Sequence, residues 1–159
     1  MSEDFLYFLW QFQYFDKTNL QTIAGESLQT LAVGQRNTNA GPDFLNGRVL
    51  IGGLEWVGTI EMHIRSSDWH RHTHTHDRAY DSVVLHVVWE NDANIQRPDG
   101  TSVPTLELKP LTSRKLLYKY QALTESKEVI PCAGQFVASA EIQKRVMLDR
   151  VLLQRLERK

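Results

Sequence analysis

Residues that can carry acid–base or metal chemistry are concentrated in one stretch of this sequence, residues 41 to 86. It contains all six histidines of the chain together with Asp43 and Glu61. Over residues 54 to 64, apolar and polar residues alternate almost perfectly, which predicts a strand with one buried face. Glu61 and His63 should therefore project from the same side, about 7 Å apart. This pair could bind a metal ion or transfer protons, and the alternative is a polar strand face turned to water.

The two acids belong to a pattern made of Pro42-Asp43 and Glu61-Met62-His63. It resembles the signature of the PD-(D/E)xK nuclease-like superfamily, in which two acidic residues on neighbouring strands bind Mg²⁺ and a nearby Lys orients or activates water. Carboxylates suit this role because Mg²⁺ is a hard cation that prefers oxygen ligands. The resemblance implies that Asp43 and Glu61 hold Mg²⁺ or Mn²⁺ and that His63 lies beside the attacking water. His63 replaces the Lys and supplies no fixed positive charge.

Gly52-Gly53 predicts a two-residue hairpin turn between two strands, and this turn fixes a register. Continued without interruption, the register puts Asp43 on the wrong face to meet the other acid. The two could meet only if β-pairing ends before Asp43 or if a one-residue bulge lies near Asn46-Gly47. The same register predicts three apolar pairs on the buried face: Ile51 with Leu54, Val49 with Trp56, and Leu45 with Ile60.

Four alternate histidines follow the strand, at positions 70, 72, 74 and 76. In an extended segment they would share one face, as a zinc or iron site requires. Cupin-type sites pair such histidines with a downstream Glu, but Tyr80 stands near the place where that Glu is expected. His86 interrupts an apolar strand, where it is either a hydrogen-bonded core residue or a neighbour of His63. The alternative to a metal site is a polar loop with incidental histidines.

The remaining patterns predict an α/β or α+β domain. We expect a mixed, mainly antiparallel sheet of about five or six strands, flanked by N-terminal and C-terminal helices. The first helix should bury an aromatic stripe, and Ser2 could cap it. The predicted elements are helices over residues 3–15, 112–124 and 139–159, strands over 27–33, 48–51, 54–64 and 83–89, a second hairpin of 95–97 and 103–108, and the stripe Phe5, Phe8, Leu9, Phe12 and Phe15.

Length and composition limit the setting of the protein. A chain of 159 residues fits a single domain over residues 1–159, and its net charge of −1 gives no general attraction to nucleic acid. The single cysteine, Cys132, excludes an internal disulfide and fits a reducing compartment. No segment has the roughly 20 apolar residues needed to span a bilayer, and no secretory signal is evident. We therefore expect a cytoplasmic protein without a membrane partner.

A longer set of motifs extends over nearly the whole chain. Their combination resembles an uncharacterised bacterial domain-of-unknown-function family. The resemblance implies that the chain is the N-terminal portion of a longer architecture, and His70 and His76 lie outside its pattern. The motifs are GPDF from Gly41, WxGxxExH from Trp56, SDWxxHxH from Ser67, and YDxVxLHVV from Tyr80, and they include Asp68, His72, His74 and Tyr80.

Three functional hypotheses follow. The first is a metal-dependent, nuclease-like phosphodiesterase or its inactive descendant, restriction-endonuclease-like in fold, with nucleic acid as partner. In it, His72 and His74 would close the site or contact phosphate. The second is a Zn²⁺ or Fe²⁺ site made by His63, His72, His74 and His86. The third is a non-catalytic binding or assembly module. Association into a homo-oligomer is compatible with each.

Overall fold

A mixed β-sheet carries the polar residues that the sequence singles out. A computed structural model describes residues 2–127 and 141–157. The chain divides into two units, Met1–Tyr118, which contains the sheet, and Lys119–Lys159, which contains the C-terminal helix. The main elements are α1 (Glu3–Phe12), β1 (Leu28–Ala32), β2 (Gln35–Arg36), β3 (Phe44–Ile51), β4 (Leu54–Arg65), α2 (Asp68–Arg71), 3-10 turns at His74–His76 and Arg78–Tyr80, β5 (Val83–Glu90), β6 (Thr105–Glu107), α3 (Arg114–Thr124) and α4 (Glu141–Glu157).

The strand order is β1-β3-β4-β5-β6. Strand β1 pairs with the C-terminal half of β3, and β2 pairs with its first two residues. Strands β1, β2 and β4 run antiparallel to β3, whereas β4, β5 and β6 are mutually parallel neighbours. The predicted fold class is confirmed: the protein is a mixed α+β fold with helices near both ends of the described chain. Because β4 and β5 are parallel, a crossover segment of residues 66–82 must connect them, and it contains most of the histidines.

The inner half of β4 is buried on both faces. Ile60 and Met62 lie on one face, and Glu61 and His63 on the other, and none of the four is more than 5% exposed. Thus the alternative of a polar face turned to water is wrong for this pair. The outer half of β4 extends past the start of β5, which pairs only from Thr59 onward. The predicted burial of Leu54 and Trp56 is therefore wrong, since they are 67% and 45% exposed.

A bulge in β3 changes the predicted register. The pairs Ile51–Leu54 and Val49–Trp56 are confirmed, but Leu45 does not pair with Ile60. Phe44 pairs with Ile60 instead. Between this pair and the pair Gly47–Gly58, β3 advances by three residues whereas β4 advances by two, so β3 contains one extra residue. Asn46 provides the extra residue and has a left-handed backbone, with φ of 57°. Continuing this register places Asp43 opposite Glu61.

Helix α1 packs its apolar side against the sheet, with the Phe5 ring 6.2 Å from Trp89 and the Tyr7 ring 6.4 Å from Phe44. It is shorter than predicted because the chain leaves the helix at Gln13, which has a φ of 54°. Ser2 precedes the helix but makes no side-chain capping hydrogen bond. The predicted stripe is only partly correct, since Phe12 is 57% exposed and the helical residues buried are Phe5, Leu6, Leu9 and Trp10.

The second predicted hairpin is reduced to one isolated bridge between Gln96 and Ser102. The strand that follows, β6, pairs in parallel with β5 instead, because Leu106 and its neighbours are buried along that edge. Cys132 and the first residues of the predicted 139–159 helix lie outside the described residues. Among the helices that the structure describes, none is long and apolar enough to cross a membrane.

Candidate metal centre

The crossover between β4 and β5 is tied down at its first residues. The Asp92 carboxylate accepts hydrogen bonds from the Ser67 backbone N–H at 2.9 Å, from Ser67 Oγ at 2.8 Å and from Ser66 Oγ at 3.0 Å. Ser66 Oγ in turn accepts from the backbone N–H groups of Asp92 and Ala93. These bonds join the end of β4 to the end of β5. They fix the point from which α2 and the histidines start.

Helix α2 is one turn long, and Asp68 stabilises its beginning. The Asp68 carboxylate accepts from the Arg65 backbone N–H at 3.2 Å and pairs with Arg71 Nη2 at 2.9 Å. Trp69 is 2% exposed and packs in an apolar cluster with Val83 and Ile95. Its buried indole acts as the anchor that holds the crossover against the sheet.

Thr73 separates two histidines by an unusual backbone conformation. Its φ of 60° and ψ of 23° lie in the left-handed region, which costs a β-branched residue roughly 1–2 kcal/mol. His72 ends α2, and His74 begins the first 3-10 turn. The sharp change of direction at Thr73 brings both rings toward the sheet, so the histidines do not share the face of an extended segment.

Three histidines converge over β4. One ligand atom from each of His63, His72 and His74 lies within 4.8 Å of the others. His63 Nδ1 is 2.8 Å from His86 Nε2, which leaves His63 Nε2 to face the other rings. His63 Nε2 is 3.1 Å from His72 Nδ1 and 3.5 Å from Glu61 Oε1, and Glu61 Oε1 is 3.3 Å from His74 Nε2.

Three of these separations are close to the edge length of a tetrahedral ligand set. Zn²⁺ binds nitrogen and oxygen at about 2.0–2.1 Å, so tetrahedral ligand atoms lie about 3.3 Å apart. The separations His63–His72, His63–Glu61 and Glu61–His74, of 3.1, 3.5 and 3.3 Å, are close to this value, and the three histidine ligand atoms lie within 4.8 Å of one another. His74 Nε2 is buried and has no hydrogen-bond partner among the described residues, although Glu61 Oε1 lies 3.3 Å away. A cation at this point would give the orphaned nitrogen a partner.

The cluster has one open side. His63 and His86 are 1% and 0% exposed, and His74 is 8% exposed, with the Tyr80 ring stacked on it at 3.7 Å. His72, in contrast, is exposed. Solvent therefore reaches the group past His72 alone among the three histidines.

Burial keeps the inner imidazoles neutral. The pKa of His63 is lowered to about 2 and that of His86 to about 3. Desolvation by burial is the larger cause, and the charge of neighbouring histidines is the smaller one. The same causes lower the pKa of His74 to about 4. Desolvation, then the charge of Asp43, raises the pKa of Glu61 to about 9. Neutral imidazoles are the form that binds metal ions, so this environment favours the cation-binding form of the histidines.

Asp43 lies next to Glu61, but its carboxylate contacts Met62 and Arg36 rather than the histidines. Its backbone N–H donates to Glu61 Oε2 at 3.1 Å, as the bulged register allows. Its own carboxylate accepts from the Met62 backbone N–H at 3.0 Å and pairs with Arg36 Nη1 at 3.0 Å. Arg36 also lies over the Tyr7 ring, 3.4 Å from its centroid. The Asp43 carboxylate thus already has a cationic partner.

Comparison with known proteins identifies the family but no activity. The model of a family described as a protein of unknown function, DUF2851, matches residues 3–159. The chain belongs to the DUF2851 family. No curated protein matches this DUF2851 chain, and no solved structure matches it. The likeness to nucleases therefore remains a resemblance of sequence motifs.

The structure of the DUF2851 chain brings together some of the residues that the sequence singled out. His63, His72 and His74 form the cluster. Glu61 contacts His63 and His74, and His86 contacts the cluster through His63. Asp68 stabilises α2, and Tyr80 covers His74. His70 and His76 are exposed, and neither belongs to the metal-binding group. Sequence reasoning missed Arg36 and Trp69, since only the fold shows that they contact the site residues.

Proposed function

We propose that this protein binds a divalent transition metal ion through His63, His72 and His74, with Glu61 as the fourth group, and uses it in a hydrolytic reaction. The observation that carries the proposal is the convergence of three histidine ligand atoms within 4.8 Å. Imidazole nitrogens suit zinc, iron and nickel better than magnesium. A bound ion of this kind supplies Lewis acidity and lowers the pKa of water.

The residues of the chain have separate tasks in this proposal. His63 and His74 form the buried floor, and their neutral rings leave nitrogen lone pairs for the ion. The exposed His72 lies on the side from which water and substrate would arrive. Glu61 Oε1 is close enough to both inner rings to share the ion or to move a proton beside it. A phosphodiester remains the substrate class that the sequence resemblance suggests.

A second candidate function is hydrolysis with Mg²⁺ or Mn²⁺ bound by the carboxylate oxygens of Asp43 and Glu61. The bulge favours it, because it places the Asp43 backbone in contact with Glu61. An ion bound there would have to replace Arg36 as the cationic partner of the Asp43 carboxylate. For this reason we rank it below the histidine site.

Elemental analysis of untagged protein tests the proposal. We expect about one equivalent of zinc, iron or nickel, and a tenfold or greater loss of zinc affinity in His72→Ala, because one of three imidazole ligands is removed. His76→Ala is the matched control, since His76 is an exposed histidine of the same crossover outside the group. It should bind as the unmodified chain does.

The outcomes separate the hypotheses. Manganese or magnesium that is lost in Asp43→Asn but retained in His72→Ala would contradict the histidine site and support the second candidate. Protein that binds none of these ions, even after titration with zinc at neutral pH, would contradict both. The polar cluster would then serve only the folded structure, as in a binding or assembly module.

A further inference from the structure

We infer that His86 is a positioning residue of the metal centre, which accepts a hydrogen bond from His63 Nδ1 and thereby presents His63 Nε2 to the ion. This inference rests on the proposed function and adds a residue outside the ligand set. Metal-binding histidines commonly use their second nitrogen in this way, and the partner fixes both the tautomer and the ring orientation.

His63 and His86 are within hydrogen-bonding distance of each other through one ring nitrogen each. His63 Nδ1 and His86 Nε2 are 2.8 Å apart, and the two rings are nearly perpendicular, at 82°. The register pairs Glu61 with His86, so the side chains of both lie on the same face of the sheet as His63. The His86 backbone N–H donates to the Pro104 carbonyl at 2.8 Å, and the Trp69 ring packs 5.2 Å from the imidazole. His86 is therefore held between β6 and the crossover.

An ion bound to His63 Nε2 determines which nitrogen of His63 and of His86 carries the proton. Each neutral imidazole carries one N–H. If His63 Nε2 binds the ion, the His63 proton is on Nδ1 and donates to His86 Nε2. The proton of His86 must then be on its Nδ1, which is buried and has no partner among the described residues.

Without an ion, the opposite arrangement has more hydrogen bonds. His86 Nε2–H can donate to His63 Nδ1, and His63 Nε2–H can donate to His72 Nδ1 at 3.1 Å. Within the His63–His86 pair, a lone pair on His86 Nδ1 is then the atom without a partner among the described residues, which costs less than a buried N–H group without an acceptor. Ion binding should thus reverse the direction of the His63–His86 hydrogen bond while both rings stay neutral.

Histidine tautomers can be read directly by long-range ¹H–¹⁵N correlation in ¹⁵N-labelled, untagged protein. We expect His63 to change from the Nε2–H to the Nδ1–H form when one equivalent of zinc is added, and His86 to show the Nδ1–H form. A His63 that remains Nε2–H in zinc-loaded protein would overturn the inference.

Variants at position 86 provide the second measurement. His86→Gln keeps a side-chain oxygen that can accept from His63 Nδ1, so its zinc Kd should stay within a few-fold of the unmodified value. His86→Leu has no acceptor and should bind zinc about 10–100-fold more weakly, as is typical for loss of such a partner. Val87→Ala, on the opposite face of the same strand, controls for general loosening of β5 and should change the Kd little.

Two results would contradict the role of His86: a His86→Leu variant that binds as tightly as the unmodified chain, or a His86→Gln variant as weak as His86→Leu. Either would leave the histidine metal site in place. If the unmodified chain takes up no zinc, the proposed function fails, and this inference fails with it. Circular dichroism of each variant shows whether the sheet has formed.

Discussion

At the scale of single residues, one strained position controls the candidate centre. Thr73 has a left-handed backbone between His72 and His74, and its Oγ1 donates to the His72 carbonyl at 2.6 Å. A β-branched residue rarely adopts this conformation, whereas Asn does so several times more often. The structure therefore maintains an unfavourable backbone at the point where two candidate ligands turn inward. Such positions are frequent at functional sites.

Relief of this strain should be measurable. We predict that Thr73→Asn stabilises the metal-free protein by about 1 kcal/mol, because Asn tolerates positive φ and the left-handed penalty for other residues is roughly 1–2 kcal/mol. Urea unfolding monitored by circular dichroism would measure the change. Thr18→Asn, at an exposed threonine without positive φ, is the control and should change stability little. Destabilisation by Thr73→Asn, beyond that of the control, would show that the Oγ1 hydrogen bond outweighs the strain.

At the scale of elements, the sequence predicts the central strands β4 and β5 well and the crossover poorly. Alternation over β4 and the continuous apolar run of β5 reflect the sheet directly, and the glycine pair fixes the hairpin register near the turn. The bulge at Asn46 could be stated only as a condition, since its side chain carries no signal that distinguishes it from a turn residue. The burial of Glu61 and His63 was also unpredictable, because it depends on Trp69 and the crossover packing above them.

The convergence of the histidines shows the same limit. Alternate spacing predicts one shared face in an extended segment, but α2 and the 3-10 turn replace that segment. His72 and His74 approach β4 because of Thr73, while His70 and His76 do not join the group. The residue types were predictable from the sequence, and the selection among them was a consequence of local backbone geometry.

The corner between β4 and α2 gives a prediction with a defined pH dependence. Desolvation alone would raise the pKa of Asp92, but hydrogen bonds from Ser67 and Ser66 outweigh it and lower the pKa below its ordinary value. A carboxyl with a lowered folded-state pKa stabilises the fold above its unfolded pKa, near 3.9, and this contribution is lost as the pH falls through the folded value. Because Asp92 is exposed and solvent screens its charge, Asp92→Asn should cost at most about 1 kcal/mol at pH 7 and almost nothing well below pH 4.

Asp99 offers a matched control for this prediction. Its carboxylate also has a lowered pKa, caused by hydrogen bonds from the Thr101 hydroxyl and backbone N–H, but it lies in the turn after residue 97. Asp92→Asn should weaken zinc binding because it loosens the start of the crossover, and Asp99→Asn should not. Calorimetric titration of both variants would show this, and equal affinities would mean that the corner does not position the histidines.

At the scale of the whole molecule, the candidate centre connects two parts of the fold, one held by strand pairing and one that lies outside the sheet. His63 belongs to a strand with neighbours on both sides, whereas His72 and His74 belong to a crossover of short helical turns. An ion that binds all three would cross-link the crossover to the sheet. Ligands that bind only the folded state stabilise it by mass action, by about 2.7 kcal/mol at a concentration of 100 Kd.

We predict that zinc slows amide hydrogen exchange in residues 66–82 and raises the Tm, and that a chelator reverses both effects. Residues 54–57, at the projecting end of the hairpin, should exchange at the same rate with and without zinc. In His72→Ala the protection should be lost. Uniform protection over the whole sheet, or protection that persists in His72→Ala, would contradict binding at this centre.

The extra residue in β3 determines that Asp43 lies opposite Glu61. Side chains alternate along a strand, so an odd change in its length reverses the side on which every later position emerges. Removal of Asn46 would carry Asp43 away from Glu61 without altering either acid. Exchange of one amino acid for another leaves the number of residues in β3 unchanged, so it does not test the effect of strand length directly. Deletion libraries, rather than point-variant libraries, are the means to find it.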